Sequence, residues 1–289
     1  MTDPDRTVPH ATVIGDPIAL SKSPMIHGFW IARLGIDATY RAERVEPERL
    51  RRYIDARRIN TAWRGCNVTM PHKQSVARLC STLDPLAKKI GAVNTLVKQE
   101  DGVRGYNTDV AGFLEPLRDT LRMNHLYRMA RIIGTGGAAR AVTAALLDHN
   151  FTIVMAGRDP AKARAILDTL DPHGEHHTPP LSHFATSTDF AFDDRVGCLD
   201  LVVNTSPLGM TGQPELSFDM SHVPPGSIVY DIVTDPVRTP FLQAAEAAGF
   251  ETVDGLAMLV GQAAAAFELF FGVQPPREHD GELRTLLTA

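Results

Sequence analysis

The segment 132–140 contains the residue types that bind a phosphate group. It reads Ile-Ile-Gly-Thr-Gly-Gly-Ala-Ala-Arg, which fits the pattern G-x-G-x-x-A between an apolar run and an alanine-rich helical run. In such a loop Gly134 permits a tight turn and Gly136 lets the backbone approach a pyrophosphate. The N–H groups at the helix start, those of Gly137 and Ala138 among them, would bind the phosphates. The loop therefore predicts a dinucleotide site; the alternative is a tight turn without a ligand.

The residues after the next predicted strand indicate which dinucleotide binds. An NAD site usually has an acidic residue at that strand end to hold the ribose hydroxyls. Here the strand end is small and Arg158 follows it. A guanidinium suits the 2′-phosphate of NADP, and Arg140 and Lys162 would add positive charge. Asp159 would be unfavourable beside a phosphate, but as the N-cap before a proline it has a sufficient structural role. We predict NADP.

Two serines stand beside the start of a predicted helix, 24–34. Ser23 as N-cap, with Pro24 as the first helical residue, accounts for one of them. It does not account for Ser21. Two hydroxyls beside a helix N-terminus can also hold a carboxylate.

Lys73 and Asp109 are candidates for proton transfer. Lys73 follows a predicted strand and Pro71, where we expect a helix, so its ammonium would lie in the first turn, which the helix dipole disfavours. Asp109 would cap another helix or pair with Lys73. Asn94, at a strand start, offers both a donor and an acceptor. The alternatives are a solvated lysine and an ordinary helix cap.

Strand-like and helical runs alternate along the chain, which predicts an α/β fold with parallel sheets covered by helices. We expect strands at 11–14, 38–45, 63–70, 93–97, 103–106, 131–134, 151–156, 199–204, 228–233 and 252–253. We expect helices at 24–34, 47–59, after Pro71, from Asp109, and at 137–149, 159–170, 240–248 and 258–271. Asp101 and Gly102 indicate a hairpin. The segment 171–194 fits no element.

The composition is that of an ordinary globular protein. The chain has 289 residues, enough for two domains, with 44% hydrophobic and 22% charged residues. The net charge of −5 argues against nonspecific binding to nucleic acid or to an anionic membrane. Five arginines between positions 49 and 58 alternate with acidic residues, which predicts a solvated helix face.

The cysteines and histidines suggest neither a disulfide framework nor a metal site. There are 3 cysteines, far apart, and the 11 histidines lack metal-ligand spacing. Few cysteines favour a reducing compartment. The first ten residues lack the apolar core of a signal peptide, and the apolar segment 255–272 is interrupted by Gln262 and Glu268. We expect a cytoplasmic protein without a metal.

Seven motifs together resemble the shikimate dehydrogenase family. They are SKSP at 21–24, NVTMPHK at 67–73, GAVNT at 91–95, NTD at 107–109, GTGGAAR at 134–140, NTSPLGM at 204–210 and DGLAMLVGQ at 254–262. Their order and spacing are far more specific than any one motif, and the resemblance extends from Gly15 to Gly272.

The resemblance implies a fold and an activity. It implies an N-terminal α/β catalytic domain completed by C-terminal helices, residues 1–112 and 254–289, and an inserted Rossmann-type NADP-binding domain, residues 113–253. The family reduces 3-dehydroshikimate to shikimate with NADPH, in the pathway to aromatic amino acids. The expected partner is a small molecule, with no nucleic acid or membrane, and the expected assembly is a monomer or homodimer.

The resemblance also assigns roles to residues. Lys73 and Asp109 would be the catalytic pair. The substrate would bind to Ser21, Ser23, Thr69, Asn94 and Gln262. The cofactor would bind to Gly134, Gly136, Gly137, Ala138, Arg140, Arg158, Lys162, Thr205 and Gly255.

Two departures from the family keep other functions open. The family commonly has Asn-Arg-Thr where this chain has Gly-Arg-Asp at 157–159, and a tyrosine beside the substrate where it has Thr234. A quinate/shikimate or aminoshikimate dehydrogenase using NAD or NADP is therefore the closest alternative. A nucleotide-sensing regulator on the same scaffold is a third, but a sensor would not need Lys73, Asp109 and Gln262.

Overall fold

The computed structural model describes residues 8–193 and 195–289. The chain divides into two compact units. The first comprises the described residues up to Gly112 together with Val260–Ala289, and the second is Phe113–Leu259. The sequence places the domain boundaries after residues 112 and 253, whereas the division in the structure falls after Gly112 and after Leu259, inside a long helix.

Eleven strands and ten α-helices are found in the described residues. The strands are β1 (His10–Gly15), β2 (Thr39–Arg44), β3 (Trp63–Val68), β4 (Thr82–Leu83), β5 (Thr95–Gln99), β6 (Gly102–Tyr106), β7 (Tyr127–Ile133), β8 (Thr152–Ala156), β9 (Cys198–Asn204), β10 (Ile228–Asp231) and β11 (Glu251–Val253). The helices are α1 (Ser23–Leu34), α2 (Leu50–Arg58), α3 (Pro85–Ile90), α4 (Asp109–Leu114), α5 (Arg118–Arg122), α6 (Gly137–Leu147), α7 (Pro160–Leu170), α8 (Pro240–Ala247), α9 (Gly255–Phe271) and α10 (Asp280–Thr288).

The sheet of the first unit has the strand order β2-β1-β3-β5-β6-β4 and is mixed. β1 pairs in parallel with β2 and β3, but β5 is antiparallel to both β3 and β6. The prediction of parallel sheets is therefore wrong for the β3–β5 pair, whereas the predicted hairpin accounts for the antiparallel pairing of β5 with β6. The predicted hairpin is present, with Glu100 and Asp101 as its two turn residues and Gly102 as the first residue of β6, and a two-residue turn can join only antiparallel strands.

The core of the first unit covers both faces of its sheet. Ile14 of β1 packs with Ile54 of α2 on one face, and Val13 packs with Phe270 of α9 on the other. A Cβ on Gly65 of β3 would lie 2.7 Å from the Phe270 ring, so glycine allows the helix to approach the sheet. α9 is thereby fixed against the sheet in the part of the helix that belongs to this unit.

The sheet of the second unit is parallel, with the order β11-β10-β9-β7-β8. Beyond β8, two isolated parallel bridges join Val154 to His177 and Gly157 to Pro180. The segment 177–180 thus occupies the place of a sixth strand, which gives the strand order of a dinucleotide-binding fold. Pro179 and Pro180 lack the N–H groups that a continuous ladder needs, which explains why 171–194 gave no strand signal. Asp194 lies outside the described residues.

The prediction of a helix directly after Pro71 is wrong. Lys73 lies in a turn, and a short 3-10 helix follows only at Val76–Leu79. The carbonyl of Lys73 accepts a hydrogen bond from the N–H of Val93 at 2.7 Å, so it is engaged with another segment. The Lys73 ammonium therefore does not lie at a helix N-terminus.

The arginine-rich helix α2 is only partly solvated. Arg51 and Arg52 are exposed, as predicted. Arg57, however, pairs with Glu43 at 2.7 Å, and Arg58 donates to the carbonyl of Leu79. The prediction of a solvated face is wrong for these last two side chains.

Two further observations concern the cysteines and the helices. Cys66, Cys80 and Cys198 are all free thiols. Among the described residues, no helix combines the length and hydrophobicity needed to cross a membrane.

Candidate functional site

Ser21 and Ser23 lie at the start of α1, which begins one residue earlier than predicted. Ser23 is the first helical residue, and Lys22 rather than Ser23 occupies the N-cap position. The predicted capping role of Ser23 is therefore wrong. Instead, the hydroxyl of Ser21 accepts a hydrogen bond from the N–H of Ser23 at 3.4 Å. Ser23 is buried and Ser21 half-buried.

Lys73 and Asp109 form an ion pair within the first unit. The Nζ of Lys73 donates to Oδ2 of Asp109 at 2.6 Å, with the two side chains 17% and 5% exposed. Asp109 is the first residue of α4, but its carboxylate does not cap that helix. The side chain of Asn107 accepts from the N–H of Asp109 at 3.1 Å instead. The Asp109 carboxylate is thus available to hold the lysine.

Asn94 holds the other oxygen of the same carboxylate. Its Nδ2 lies 2.9 Å from Oδ1 of Asp109 and 2.9 Å from the hydroxyl of Thr108. Its Oδ1 accepts from the N–H of Thr108 at 2.7 Å. Gln262 of α9 belongs to the same group, since its Oε1 is 3.5 Å from Nδ2 of Asn94. The carboxylate is fixed from both sides, so Lys73 meets an acceptor in a defined orientation.

Three buried polar residues that the sequence did not single out extend this network. Tyr40 donates to Oδ1 of Asn67 at 2.6 Å, Asn67 donates to Thr95 at 3.0 Å, and Thr95 donates to Oδ1 of Asn94 at 2.9 Å. Burial raises the pKa of Tyr40, and its phenol also interacts with Ser23. Their polar groups are buried, so each needs a partner inside the protein, but the sequence does not show this burial.

Thr69 lies directly after β3, close to the end of β1. Its N–H donates to the carbonyl of Ile14 at 2.9 Å, and its side chain is half-buried. A Cβ on Gly15 would lie 2.5 Å from Cγ2 of Thr69, so the two strand ends are tightly apposed. Thr69 therefore lies at the carboxyl edge of two parallel strands, where α/β sheets bind ligands.

The glycine loop of the second unit joins β7 to α6 as predicted. Gly134 has φ +121°, and a Cβ there would lie 2.6 Å from the hydroxyl of Thr205. Gly136 is the N-cap of α6; no side chain of the described residues caps this helix, and a Cβ on Gly136 would meet nothing within 4 Å. The N–H groups at the start of α6, those of Gly137 and Ala138 among them, are therefore left without a side-chain cap. This cradle fits a pyrophosphate.

The residues after β8 lie at the start of α7. Asp159 is the N-cap of α7 and accepts from the N–H of Ala161 at 3.0 Å, which confirms its structural role. Arg158 and Lys162 are exposed at this strand end. Arg140 lies in the first turns of α6, where burial lowers the pKa of its guanidinium.

Thr205 and Gly255 both have close contacts with backbone in the second unit. The hydroxyl of Thr205 donates to the carbonyl of Ile133 at 2.7 Å, which ties the loop after β9 to the end of β7. A Cβ on Gly255 would lie 2.2 Å from the carbonyl oxygen of Val233, so only glycine allows α9 to begin against the loop after β10. Both residues thus have a structural role in the second unit, in addition to the cofactor role that the resemblance implies.

A doubly wound sheet with an uncapped glycine loop, in a chain that also carries a lysine paired with a buried carboxylate, is typical of a dinucleotide-dependent oxidoreductase of the α/β class. Comparison with known proteins narrows this class. Residues 13–96 match the family model described as shikimate dehydrogenase substrate binding domain, and residues 255–279 match that of the shikimate 5′-dehydrogenase C-terminal domain. A shikimate dehydrogenase (NADP(+)) of Sphingopyxis alaskensis is 47% identical over 283 residues, 97% of each chain. The chain belongs to the shikimate dehydrogenase family, which confirms the predicted family and fold class.

Solved structures agree with this assignment. The shikimate 5-dehydrogenase of Thermus thermophilus, in complex with NADP(H) and shikimate, superposes with a TM-score of 0.77 at 29% identity, covering 96% of this chain and 99% of that one. A quinate dehydrogenase of Corynebacterium glutamicum, in complex with NAD, gives a TM-score of 0.79 at 29% identity, with 96% and 99% covered.

Proposed function

We propose that this chain catalyses the reversible, NADPH-dependent reduction of 3-dehydroshikimate to shikimate, in the pathway to aromatic amino acids. The observation that carries the proposal is the Lys73–Asp109 pair, which is 2.6 Å long, joins a half-buried lysine to a buried carboxylate, and is held by Asn94 on its far side. The names of the similar proteins support the same activity.

NADPH, when bound, supplies the hydride. The ammonium of Lys73 donates a proton to the oxygen that gains negative charge as the ketone becomes an alcohol. Asp109 orients this ammonium and balances its charge through the 2.6 Å contact. In the oxidation of shikimate Lys73 accepts the hydroxyl proton, so the same pair serves both directions.

The substrate roles rest on the same unit. We assign the carboxylate of the substrate to Ser21 and Ser23, because hydroxyls beside the start of a helix favour an anion. We assign its ring oxygens to Thr69, Asn94 and Gln262. The 3.5 Å approach of Asn94 to Gln262 and its bond to Asp109 support this grouping.

For the cofactor, we assign the pyrophosphate to the loop of Gly134, Gly136, Gly137 and Ala138 and the 2′-phosphate to Arg158, with Arg140 and Lys162 adding positive charge. Thr205 and Gly255 would border the nicotinamide. Arg158→Ala should raise KM for NADP more than KM for NAD, because only NADP carries the 2′-phosphate. Equal losses for both cofactors would remove Arg158 from this role.

A quinate/shikimate dehydrogenase is the second candidate, favoured by Thr234 and by the similarity to a quinate dehydrogenase. The deciding experiment measures kcat/KM for shikimate and quinate, each with NADP and NAD, from the absorbance of the reduced cofactor. The proposal expects the highest value with shikimate and NADP. A higher value with quinate or NAD would favour the second candidate, and no turnover in any combination would favour a nucleotide-sensing regulator.

The proposal also includes a cytoplasmic location, a small-molecule partner and a monomeric or homodimeric assembly. The three free thiols support a reducing compartment. Light scattering after gel filtration would distinguish a monomer of 31.5 kDa from a dimer, and a larger species would contradict both.

A further inference from the structure

The loop that follows β9 lies at the point of the second sheet where a dinucleotide is expected to bind. β8 and β9 flank β7 on opposite sides, so the chain reverses its direction of progress across the sheet at β7. Ligands of such sheets bind beside that reversal, at the carboxyl ends of the strands. With Arg158 at the end of β8 on one side of the glycine loop, the nicotinamide half must extend to the other side, toward the residues after β9.

Asp231, the last residue of β10, holds three segments at this edge. It is fully buried. Its Oδ1 accepts from Nδ2 of Asn204 at 3.0 Å and from the N–H of Val233 at 3.0 Å, and its Oδ2 accepts from the hydroxyl of Thr239 at 2.7 Å. These donors belong to the end of β9, the loop after β10 and the N-cap of α8. One carboxylate therefore joins all three.

Asn204, which is held by Asp231, in turn forms hydrogen bonds with residues of the loop that follows β9. Its Oδ1 accepts from both the N–H and the hydroxyl of Ser206, at 3.0 and 2.7 Å, and its Nδ2 also donates to the carbonyl of Leu208 at 3.0 Å. A side-chain amide can rotate by half a turn, which would exchange its donor and acceptor ends. The ionised carboxylate of Asp231 can accept a hydrogen bond from the Nδ2 of Asn204 but cannot pair with its Oδ1. Asp231 therefore fixes the amide of Asn204 in the orientation that the loop 204–208 requires.

The three partners of Asp231 are all uncharged, and its burial is unfavourable to the ionised form. Desolvation raises the pKa of Asp231 to about 6, although all three hydrogen bonds act in the opposite direction. A carboxylate kept in such a place destabilises the fold at neutral pH compared with a neutral side chain of the same shape. Stability alone therefore does not explain its presence.

We propose that Asp231 is a positioning residue for the cofactor, acting through Asn204 to hold the loop 204–208 in the conformation that receives the nicotinamide half. This inference rests on the proposed function for the identity of the dinucleotide. Asp231 is not a catalytic residue, since its carboxylate is buried and fully engaged by protein donors.

The test compares Asp231→Ala with Asp231→Asn and Thr239→Val. NADPH binding is measured by the fluorescence of the bound cofactor, and KM is measured separately for NADP and shikimate. Asp231→Ala should weaken NADPH at least tenfold while KM for shikimate changes less than twofold. Asp231→Asn keeps the oxygen that faces Asn204 and Val233 and should restore binding to within threefold of wild type.

Thr239→Val is the matched control, because it removes a bond to the same carboxylate but leaves Asn204 in place. It should lower Tm, since Thr239 caps α8, without changing NADPH affinity. The proposal is overturned if Asp231→Ala binds NADPH normally, or if it and Thr239→Val weaken binding by the same factor.

A second route covers the case in which Asp231→Ala does not fold. Asn204→Ala removes the side chain through which Asp231 holds the loop, and it should weaken NADPH at least tenfold while KM for shikimate changes less than twofold. Normal NADPH binding by Asn204→Ala would contradict the inference. Because binding is measured without turnover, a wild-type chain that binds NADPH but does not oxidise shikimate would contradict the proposed function and not this inference.

Discussion

At the scale of single residues, Lys73 is fixed at both ends. Its carbonyl accepts from Val93 at 2.7 Å, and its ammonium donates to Asp109 at 2.6 Å. A long, flexible side chain held in this way loses little further freedom when a substrate binds, which favours proton transfer in a defined direction. The turn that replaces the expected helix is therefore part of what positions the lysine.

Replacing Lys73 by alanine should lower kcat by about 10²–10⁴-fold, because a positioned proton donor contributes an effect of that size. Steady-state oxidation of shikimate measures the loss, and tryptophan fluorescence checks that the fold persists. The matched control is Lys88→Ala, in which an exposed lysine of α3 is removed and kcat should not change. A near-normal kcat in the Lys73 variant would exclude it from the mechanism.

The two glycines of the nucleotide loop should respond differently to alanine. Gly134 has a positive φ and lies 2.6 Å, at its Cβ position, from Thr205, so Gly134→Ala should destabilise the second unit by about 1–3 kcal/mol. Gly136 has φ −88° and open space around it, so Gly136→Ala should leave Tm nearly unchanged but weaken NADPH binding at least tenfold. Thermal unfolding and a fluorescence titration separate the two effects, and identical results for both variants would contradict this division.

At the scale of elements, α10 supports the start of α1. The Nζ of Lys22 donates to the carbonyl of Leu287 at 2.6 Å, in the last turn of α10, and Arg33 near the end of α1 pairs with Glu282. A cation near a helix C-terminus is favourable because of the unpaired carbonyls there. The lysine between the two serines thus anchors their loop to the last helix.

The buried face of α10 should contribute to the stability of the first unit, and its exposed face should not. Leu283 is fully buried, whereas Leu286 is 46% exposed. Leu283→Ala should destabilise the first unit by about 2–4 kcal/mol, and Leu286→Ala by less than about 0.5 kcal/mol. Urea unfolding followed by tryptophan fluorescence provides the comparison. Equal, small effects would mean that α10 is dispensable for the core.

Most elements could be predicted from apolar periodicity and turn residues, and the exceptions have physical causes. β5 has the same apolar residues as a parallel strand; the hairpin residues predict its antiparallel pairing with β6, but nothing in the sequence indicates its antiparallel pairing with β3. The segment 177–180 lies on an edge where two bridges suffice, so it needs no apolar alternation. The sequence left open whether Lys73 pairs with Asp109. The two residues are 36 positions apart, and only the folded sheet brings them together.

Some residues of the site could not be identified from residue types and their spacing in the sequence. Tyr40 and Asn67 resemble ordinary strand residues until their buried hydrogen bond is seen. Asp231 ends an apolar strand, where an aspartate usually marks a turn. The roles of Tyr40, Asn67 and Asp231 depend on the burial of their polar groups, which cannot be read from the sequence.

At the scale of the whole molecule, the two units contain buried groups with opposite responses to pH. His27 of the first unit stacks on Tyr40 with ring centroids 3.9 Å apart, and neither ring nitrogen has a partner among the described residues. Burial lowers the pKa of His27 to about 3 and raises the pKa of Asp231, in the second unit, to about 6. The fold therefore excludes the proton from His27 and favours it on Asp231.

The sign of each effect follows from proton linkage. Below pH 6.5 the unfolded chain protonates His27 and the folded one does not, so the first unit should lose roughly 2 kcal/mol between pH 7.5 and 5. Asp231 acts oppositely: its contribution is lost as pH rises through 6, so the second unit should gain on the order of 1 kcal/mol over the same acid shift. Trp30 and Trp63, the only two tryptophans, both lie in the first unit and report on it alone.

His27→Phe should flatten the pH dependence of the tryptophan-monitored transition, whereas Asp231→Asn should leave that transition unchanged. Asp231→Asn should instead slow hydrogen exchange in β9 and β10 at pH 8, where the wild-type carboxylate is ionised. His173→Ala, which removes an exposed histidine, is the control and should change neither. If both variants shifted the same transition equally, the two units would be one unfolding unit.

The discontinuity of the first unit has a consequence for synthesis on the ribosome. All six strands of its sheet lie before Gly112, but the core residues Phe270 and Leu283 belong to Val260–Ala289, while the second unit is complete once Leu259 has emerged. At roughly 5–20 residues per second, translation of the intervening 147 residues (259 − 112) takes about 7–30 seconds. The nucleotide-loop unit is thus able to fold first, and until the last helices are made the sheet of the first unit lacks the part of α9 that covers one of its faces.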